Sequence, residues 1–282
     1  MTDALSFVLT NRIPRRALTL LMGWFSKLEH PLLARFSISV WKKFADLRLH
    51  EAKKARFASL HDCFVRELKA GARPVDPDPA LLTSPCDAIV GASGTIQGTR
   101  LFQAKDSSYT LEELLHDPEL AAALRDGTYA TLRITSSMYH RFHAPHDCRV
   151  ERVTYFAGDA WNVHPPALQR VSKLFCRNER AVLETRLEAN GQRVILVAVA
   201  AVLVASIRLH FIDVRLHLRY RGPNVMPCDA RLAKGEEMGW FEHGSTILVF
   251  APRGSTLLKP EGARLRAGES LITVAERTPG RG

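Results

Sequence analysis

The spacing of hydrophobic positions divides the chain into two regions. From Arg15 to Leu28 the apolar residues Ala17, Leu20, Leu21, Trp24, Phe25 and Leu28 recur every three or four positions, with Arg15, Arg16, Thr19, Ser26 and Lys27 largely opposite. That period predicts an amphipathic helix. Pro31 interrupts it. From Leu33 a second helical stripe runs through Phe36, Val40, Phe44 and Leu47, with Arg35, Lys42, Lys43 and Arg48 off the stripe. Past residue 75 the character changes. Pro74, Pro77, Pro79 and Pro85 punctuate a linker-like stretch, DPDPALLTSP, and strand-like pieces follow at 88–96, 129–136, 149–156, 181–187, 194–207 and 208–220. The 14-residue run VILVAVAAVLVASI at 194–207 is apolar throughout and rich in valine, which predicts one or two buried strands. One helix is predicted over 110–124, opened by Thr110 as N-cap with Glu113 three residues on, a capping box.

Near the C-terminal end, Gly262, Leu265, Gly268 and Leu271 stand three apart. This resembles the hammerhead turn of lipoyl- and biotinyl-type barrels, where glycine permits a tight corner between short strands. No lysine sits at the tip, which argues against a carrier role. The fold class expected is α+β: N-terminal amphipathic helices, then a mainly antiparallel β core with barrel-like, hammerhead features. The boundary falls between a helical region at 1–73 and a β-rich domain at 74–282.

Composition narrows the function classes. A chain of 282 residues with 46% hydrophobic and 24% charged residues can build a sizeable core and is not disordered. Five cysteines without a CxxC pair exclude a zinc ribbon and a disulfide scaffold and suit a reducing compartment. No apolar run reaches the ~18 residues of a spanning helix, and no secretory signal pattern is evident. The net charge is +10, and residues 1–56 carry +7 of it, eleven Lys/Arg against four Asp/Glu. A basic amphipathic arm suits an anionic membrane surface; a helical pair packed on its own core with solvated lysines is the plainer alternative. Nucleic acid is disfavoured, because no basic stretch interleaves with stacking aromatics.

Three short stretches carry candidate chemistry. They are SPCDAIVG with Asp87, MYHRFHAPHD with His140, His143 and His146, and EHGSTILVFAP with Gly244, Ser245 and Thr246. Taken singly each is weak. Asp after proline is commonly a turn residue. On a strand, His140 and His146 would share a face without His143, so a zinc site would lack a close third ligand. Together, Asp, His and Ser are the parts of a hydroxyl activated by an oriented imidazole. Ser245 is not in a GxSxG elbow, so an ordinary hydrolase fits poorly. The glycine directly before it allows a different use, attack by the serine oxygen on the carbonyl of its own preceding residue.

In this order the stretches resemble the phosphatidylserine decarboxylases of the pyruvoyl-dependent class, over nearly the whole chain. The arm is similar to the family's membrane-associating segment, and FVREL with RPVDPDP to its linker. SPCDA resembles its catalytic-aspartate motif at Asp87, and YHRFHAP its two-histidine motif at His140 and His143. FCRNER (175–180) and KGEEMGWFEHGST (234–246) match further signatures. The chain departs from the family pattern at His243, where leucine is usual, at Ala88 and Cys148, which replace glycines, and at Ala144, where methionine is common.

The resemblance implies a mechanism. His143, oriented by Asp87, deprotonates Ser245. The Ser245 oxygen attacks the Gly244 carbonyl, the peptide becomes an ester, and β-elimination frees a β chain, 1–244, from an α chain, 245–282. The α chain keeps a pyruvoyl group made from Ser245, so neither pyridoxal phosphate nor a metal is expected. A Schiff base on that group turns phosphatidylserine into phosphatidylethanolamine and CO2. His143, or in second place His140, returns the proton to carbon; the alternative role for His140 is to orient the substrate carboxylate, and His146 is structural or exposed. The resemblance further implies that the two chains stay associated, a homodimer, and a peripheral place on the cytoplasmic side of the cell membrane. The alternatives are a pyruvoyl decarboxylase of a free amino acid and an uncleaved, non-enzymatic membrane-binding relative.

Overall fold

A computed structural model describes residues 15–104, 107–201, 206–217, 219–242 and 245–275. Helices form at Arg15–Phe25 and Pro31–Phe44. Pro31 opens the second helix rather than only ending the first: its fixed φ suits a first-turn position, and His30 caps it by accepting from the Leu33 N–H at 3.4 Å. Both helices turn the expected arrangement outward. Polar Thr19 and Ser26 are buried, as are Ala34 and Ile38, while Leu21, Trp24, Leu32, Phe36 and Phe44 are 57%, 62%, 71%, 68% and 85% exposed. The second helix still packs on a small core, in which Ile38, Leu47 and Cys63 are joined by half-buried Trp41, Phe57 and Leu60.

The strands, in chain order, are β1 (Leu81–Thr83), β2 (Ala88–Thr95), β3 (Arg100–Ala104), β4 (Ser107–Thr110), β5 (Thr128–Ile134), β6 (Arg141–His143), β7 (Cys148–Phe156), β8 (Arg180–Leu187) and β9 (Arg193–Ala200). They continue with β10 (Ser206–Leu209), β11 (Arg215–His217), β12 (Val225–Leu232), β13 (Glu237–Phe241), β14 (Ser245–Ala251), β15 (Thr256–Leu257), β16 (Arg264–Leu265) and β17 (Ser270–Thr273). The main sheet has the order β12-β7-β8-β9-β14-β5-β2-β16, with antiparallel pairing throughout. Smaller sheets β11-β10-β13-β6 and β1-β17-β15 add to the core on one face. The α+β class holds, but among the described residues no barrel closes. The sheet ends in the two-residue β16 and in β12, whose register shifts between Pro227 and Ala230, where a proline without N–H interrupts the ladder.

Alternation explains the apolar runs. On β14, Ile247, Val249 and Ala251 enter one core, and Leu248 and Phe250 the other. On β9, Val194, Leu196 and Ala198 alternate in the same way with Ile195, Val197 and Val199. A strand covered on both faces has no polar side, so the period-2 signal vanishes. The second face is covered by the helices Leu111–Leu115, Pro118–Ala123, Pro165–Arg170 and Leu174–Arg177. The single helix expected at 110–124 is two. The Thr110–Glu113 capping box forms, but His116 adopts a left-handed conformation and Asp117 recaps ahead of Pro118, accepting from the Leu120 N–H. The expected strand at 208–220 is likewise broken, by a turn between β10 and β11.

Candidate active site

The site lies where two strands pass from one sheet to another. β5 pairs with β14 in the main sheet, while β6, which follows β5, pairs with β13, which precedes β14. The connection 135–140 and the end of β13 therefore lie at the same corner. Ser245 is the first residue of β14, opposite Ile134 on one side and Ala200 on the other. His140 stands at the facing corner, where its carbonyl accepts from the Phe241 N–H at 3.0 Å. His243 and Gly244, and the Ser245 side chain, lie outside what is described.

The FCRNER stretch holds this corner. Asn178 donates to the carbonyls of Trp161 and Ala200, both at 2.9 Å, and so fixes the end of β9 beside Ser245. Buried Arg180 donates to the Leu114 and Cys176 carbonyls at 2.8 and 2.7 Å. On the other side, buried Glu242 pairs with Lys27 at 2.9 Å and Arg215 at 3.2 Å, which ties the strand ahead of Ser245 to the N-terminal helices.

His140 is fully buried, with its ring centroid 3.9 Å from that of Phe64. Its Nδ1 lies 2.9 Å from the Met138 carbonyl. A carbonyl can only accept, so Nδ1 carries the proton and Nε2 presents a lone pair. That Nε2 is buried without a partner among the described residues. Burial pushes His140 down to about 3, with the Met138 hydrogen bond opposing, so the ring is neutral at pH 7. His143 has the same tautomer: Nδ1 donates to the Gly235 carbonyl at 2.9 Å, and Nε2 accepts from the Tyr139 hydroxyl at 3.1 Å. Burial lowers its pKa as well. His146, also buried, meets the Pro79 carbonyl at 2.9 Å through Nε2 and so has a structural place in the linker.

Asp87 precedes β2, two strands from β14 in the main sheet, roughly 10 Å at ~4.8 Å per strand. It does not hydrogen-bond His143. Arg73 takes it instead, from Nε to Oδ1 at 2.7 Å and from Nη2 to Oδ2 at 2.5 Å, and the Ala267 N–H adds a third bond at 2.9 Å. A guanidinium fork matches both carboxylate oxygens, which a single imidazole N–H cannot do. The hammerhead glycine supports this arrangement. Gly268 has φ of +89°, and a Cβ there would lie 2.4 Å from the Pro74 carbonyl oxygen. Arg73 also reaches Glu51 at 2.9 Å. Burial opposes ionisation of Glu51, but Arg73 holds its carboxyl below the usual range. The Asp87 and His143 segments still meet, because the His143 N–H donates to the Pro85 carbonyl at 2.8 Å. Arg73 and Tyr139 fill the space between them, with the guanidinium 5.8 Å from the Tyr139 ring centroid.

Arg73 and Tyr139 were not singled out in the sequence, although both adjoin motif residues. Of the free cysteines, Cys63, Cys86 and Cys148 are buried, and Cys176 and Cys228 partly so. Burial raises all five thiols, Cys148 to about 12, which suits packing rather than reactivity.

Comparison with known proteins places this arrangement among the decarboxylases, that is, the carboxy-lyases. The chain belongs to the phosphatidylserine decarboxylase family, whose model matches residues 60–273. A phosphatidylserine decarboxylase proenzyme of Saccharophagus degradans is 32% identical over 97% of this chain and 99% of its own length. Proenzymes of the same name from Coxiella burnetii (33% identical, 93% of this chain and 96% of theirs) and Actinobacillus pleuropneumoniae serotype 5b (32%, 93% and 92%) are similar. Among the described residues no helix is long and apolar enough to cross a membrane.

Proposed function

We propose that this chain converts phosphatidylserine to phosphatidylethanolamine and CO2 at the surface of an anionic membrane, after cutting itself between Gly244 and Ser245. The observation that carries the reading is the position of Ser245. The family's cleavage residue opens a central strand opposite Ile134, at the end of the strand from which the connection bearing His140, a buried imidazole with an unpartnered Nε2 among the described residues, departs. That corner fits a group formed from Ser245. Formed there, the pyruvoyl group supplies a ketone that condenses with the substrate amine and takes up the electrons released with CO2.

The chain's own residues do the rest. His143, neutral with its lone pair on Nε2, accepts the Ser245 proton once the Tyr139 hydroxyl yields its place. Gly235 and not Asp87 sets the His143 tautomer in this arrangement; Asp87 acts as the fixed charge that holds Arg73 beside Tyr139. In turnover His143 returns the proton to carbon, general acid assistance worth about 10²–10⁴-fold. His140, neutral and presenting a lone pair, suits a donor and not the substrate carboxylate. The outward apolar helices explain how a lipid that stays in its bilayer is reached. They lie on the membrane, where each nearby Lys or Arg adds roughly 1 kcal/mol on an anionic leaflet. The same helices weigh against a free amino acid as substrate.

Intact mass spectrometry with an assay on phosphatidylserine in mixed micelles tests the proposal. Two polypeptides are expected, the smaller running from 245 to 282 with a blocked N-terminus, together with release of CO2. Catalytically competent protein with an unbroken chain would refute it.

A further inference from the structure

A cavity of about 370 Å³ runs from Asp46 and Arg48, just beyond the Pro31–Phe44 helix, to Asp87 and Tyr139. One end is thus at the foot of the exposed Phe44, and the other is at the candidate active site. This is the low end of the size range of small-molecule sites, enough for a polar headgroup but not for acyl chains. Its lining is dominated by charge: five arginines against four carboxylates. Three of the arginines are taken. Arg48 pairs with Asp46, Arg266 with Glu51, and Arg73 with both Glu51 and Asp87.

Arg66 and Arg264 have no carboxylate partner among the described residues. Arg66 is buried, its Nη atoms donate only to the carbonyls of Cys63, Ser137 and Met138, and its Nε has no partner there. Glu269 is the one lining carboxylate not engaged by a described guanidinium, which leaves a formal +1. A phosphatidylserine headgroup carries a net −1, from a phosphodiester, a carboxylate and an ammonium. Guanidinium forks match phosphate oxygens in both geometry and charge.

Resting on the function proposed above, we infer that this cavity seats the phosphodiester of the lipid headgroup, held by Arg66 and Arg264. The acyl chains leave past the exposed apolar helices, and the serine moiety points toward Asp87 and Tyr139.

The test is calorimetric binding of glycerophosphoserine to the full-length Ser245→Ala chain, so no turnover is required. Glycerophosphoserine should bind, glycerol phosphate should compete, and free serine should not. Arg264→Gln should weaken binding about tenfold without moving the melting midpoint. Arg66→Gln also breaks the carbonyl contacts and can fail to fold, so Arg264 carries the test, with Arg66→Lys as the second variant, expected to weaken binding while staying folded. Competition by serine equal to that of glycerophosphoserine, or unchanged binding in Arg264→Gln, would overturn the inference. So would inorganic phosphate binding as tightly as glycerophosphoserine, which would mark a free-phosphate site. Headgroup binding without decarboxylation by the unsubstituted protein would sink the function and keep the site. Decarboxylation by Arg264→Gln with unchanged KM would sink the site alone.

Discussion

His140 shows how burial sets chemistry at a single residue. Its folded pKa of about 3 lies below the ordinary 6.5, so the folded chain binds fewer protons than the unfolded one between those values. The contribution of this ring to stability is therefore whole above pH 6.5 and is lost as pH falls toward 3, at up to about 1.4 kcal/mol per pH unit. His143 shifts in the same direction. Urea midpoints should hold steady above pH 6.5 and fall below it, and His140→Gln should make that fall shallower; an equally steep fall in the variant would remove His140 from the account. Gly239 shows the opposite constraint, of space and not charge. A Cβ there would lie 2.0 Å from the Arg208 carbonyl oxygen, across the β10–β13 pair. Gly239→Ala should cost about 3 kcal/mol, the upper end for overpacking. At ~2–4 °C per kcal/mol for a chain of this size, thermal melting should show a drop of roughly 6–12 °C.

The N-terminal helices carry a familiar periodicity, mounted in reverse. The first docks its polar side, through Thr19, Ser26 and the Lys27–Glu242 ion pair, the second docks through Ala34, Ile38 and Trp41, and Trp24, Phe36 and Phe44 face out. Exposed Trp24 and Phe36 contribute little to folding but, on a bilayer, each buries apolar surface worth about 1.5–3 kcal/mol. Trp24→Ser and Phe36→Ser should each weaken flotation with anionic vesicles by about 10- to 100-fold while the melting midpoint stays within about 2 °C. A large loss of thermal stability with vesicle binding intact would mean that these side chains belong to a protein core.

At the scale of the whole molecule, the C-terminal segment is woven through the rest. β14 lies between β5 and β9, β16 pairs with β2, and β17 pairs with β1. A cut before Ser245 opens the chain at the start of β14 without removing any of those ladders. The two products should therefore co-elute in size-exclusion chromatography and separate only in denaturant. Ser245→Ala should remain a single polypeptide with the same elution volume; cleavage of that variant between 244 and 245 would show that another group is the nucleophile. The Lys27–Glu242 pair also joins the end of the first N-terminal helix to the segment ahead of Ser245.

Local pattern was enough for the elements whose signals are local. The helical stripes, the Thr110–Glu113 cap, most central strands and the motif stretches with Asp87, His140, His143 and Ser245 could all be read along the chain. Helix breaks at His116 and Asp117 were less legible, because a proline that caps a new helix and one that ends an old helix look alike in one dimension. Only the tertiary structure decided which side of the N-terminal helices is buried, since periodicity defines two faces but not which of them meets the protein. Only it gave Asp87 to Arg73 and His143 to Gly235 and Tyr139. A carboxylate or imidazole takes the partner that the fold brings within about 3 Å, and here those partners come from segments up to 92 residues apart.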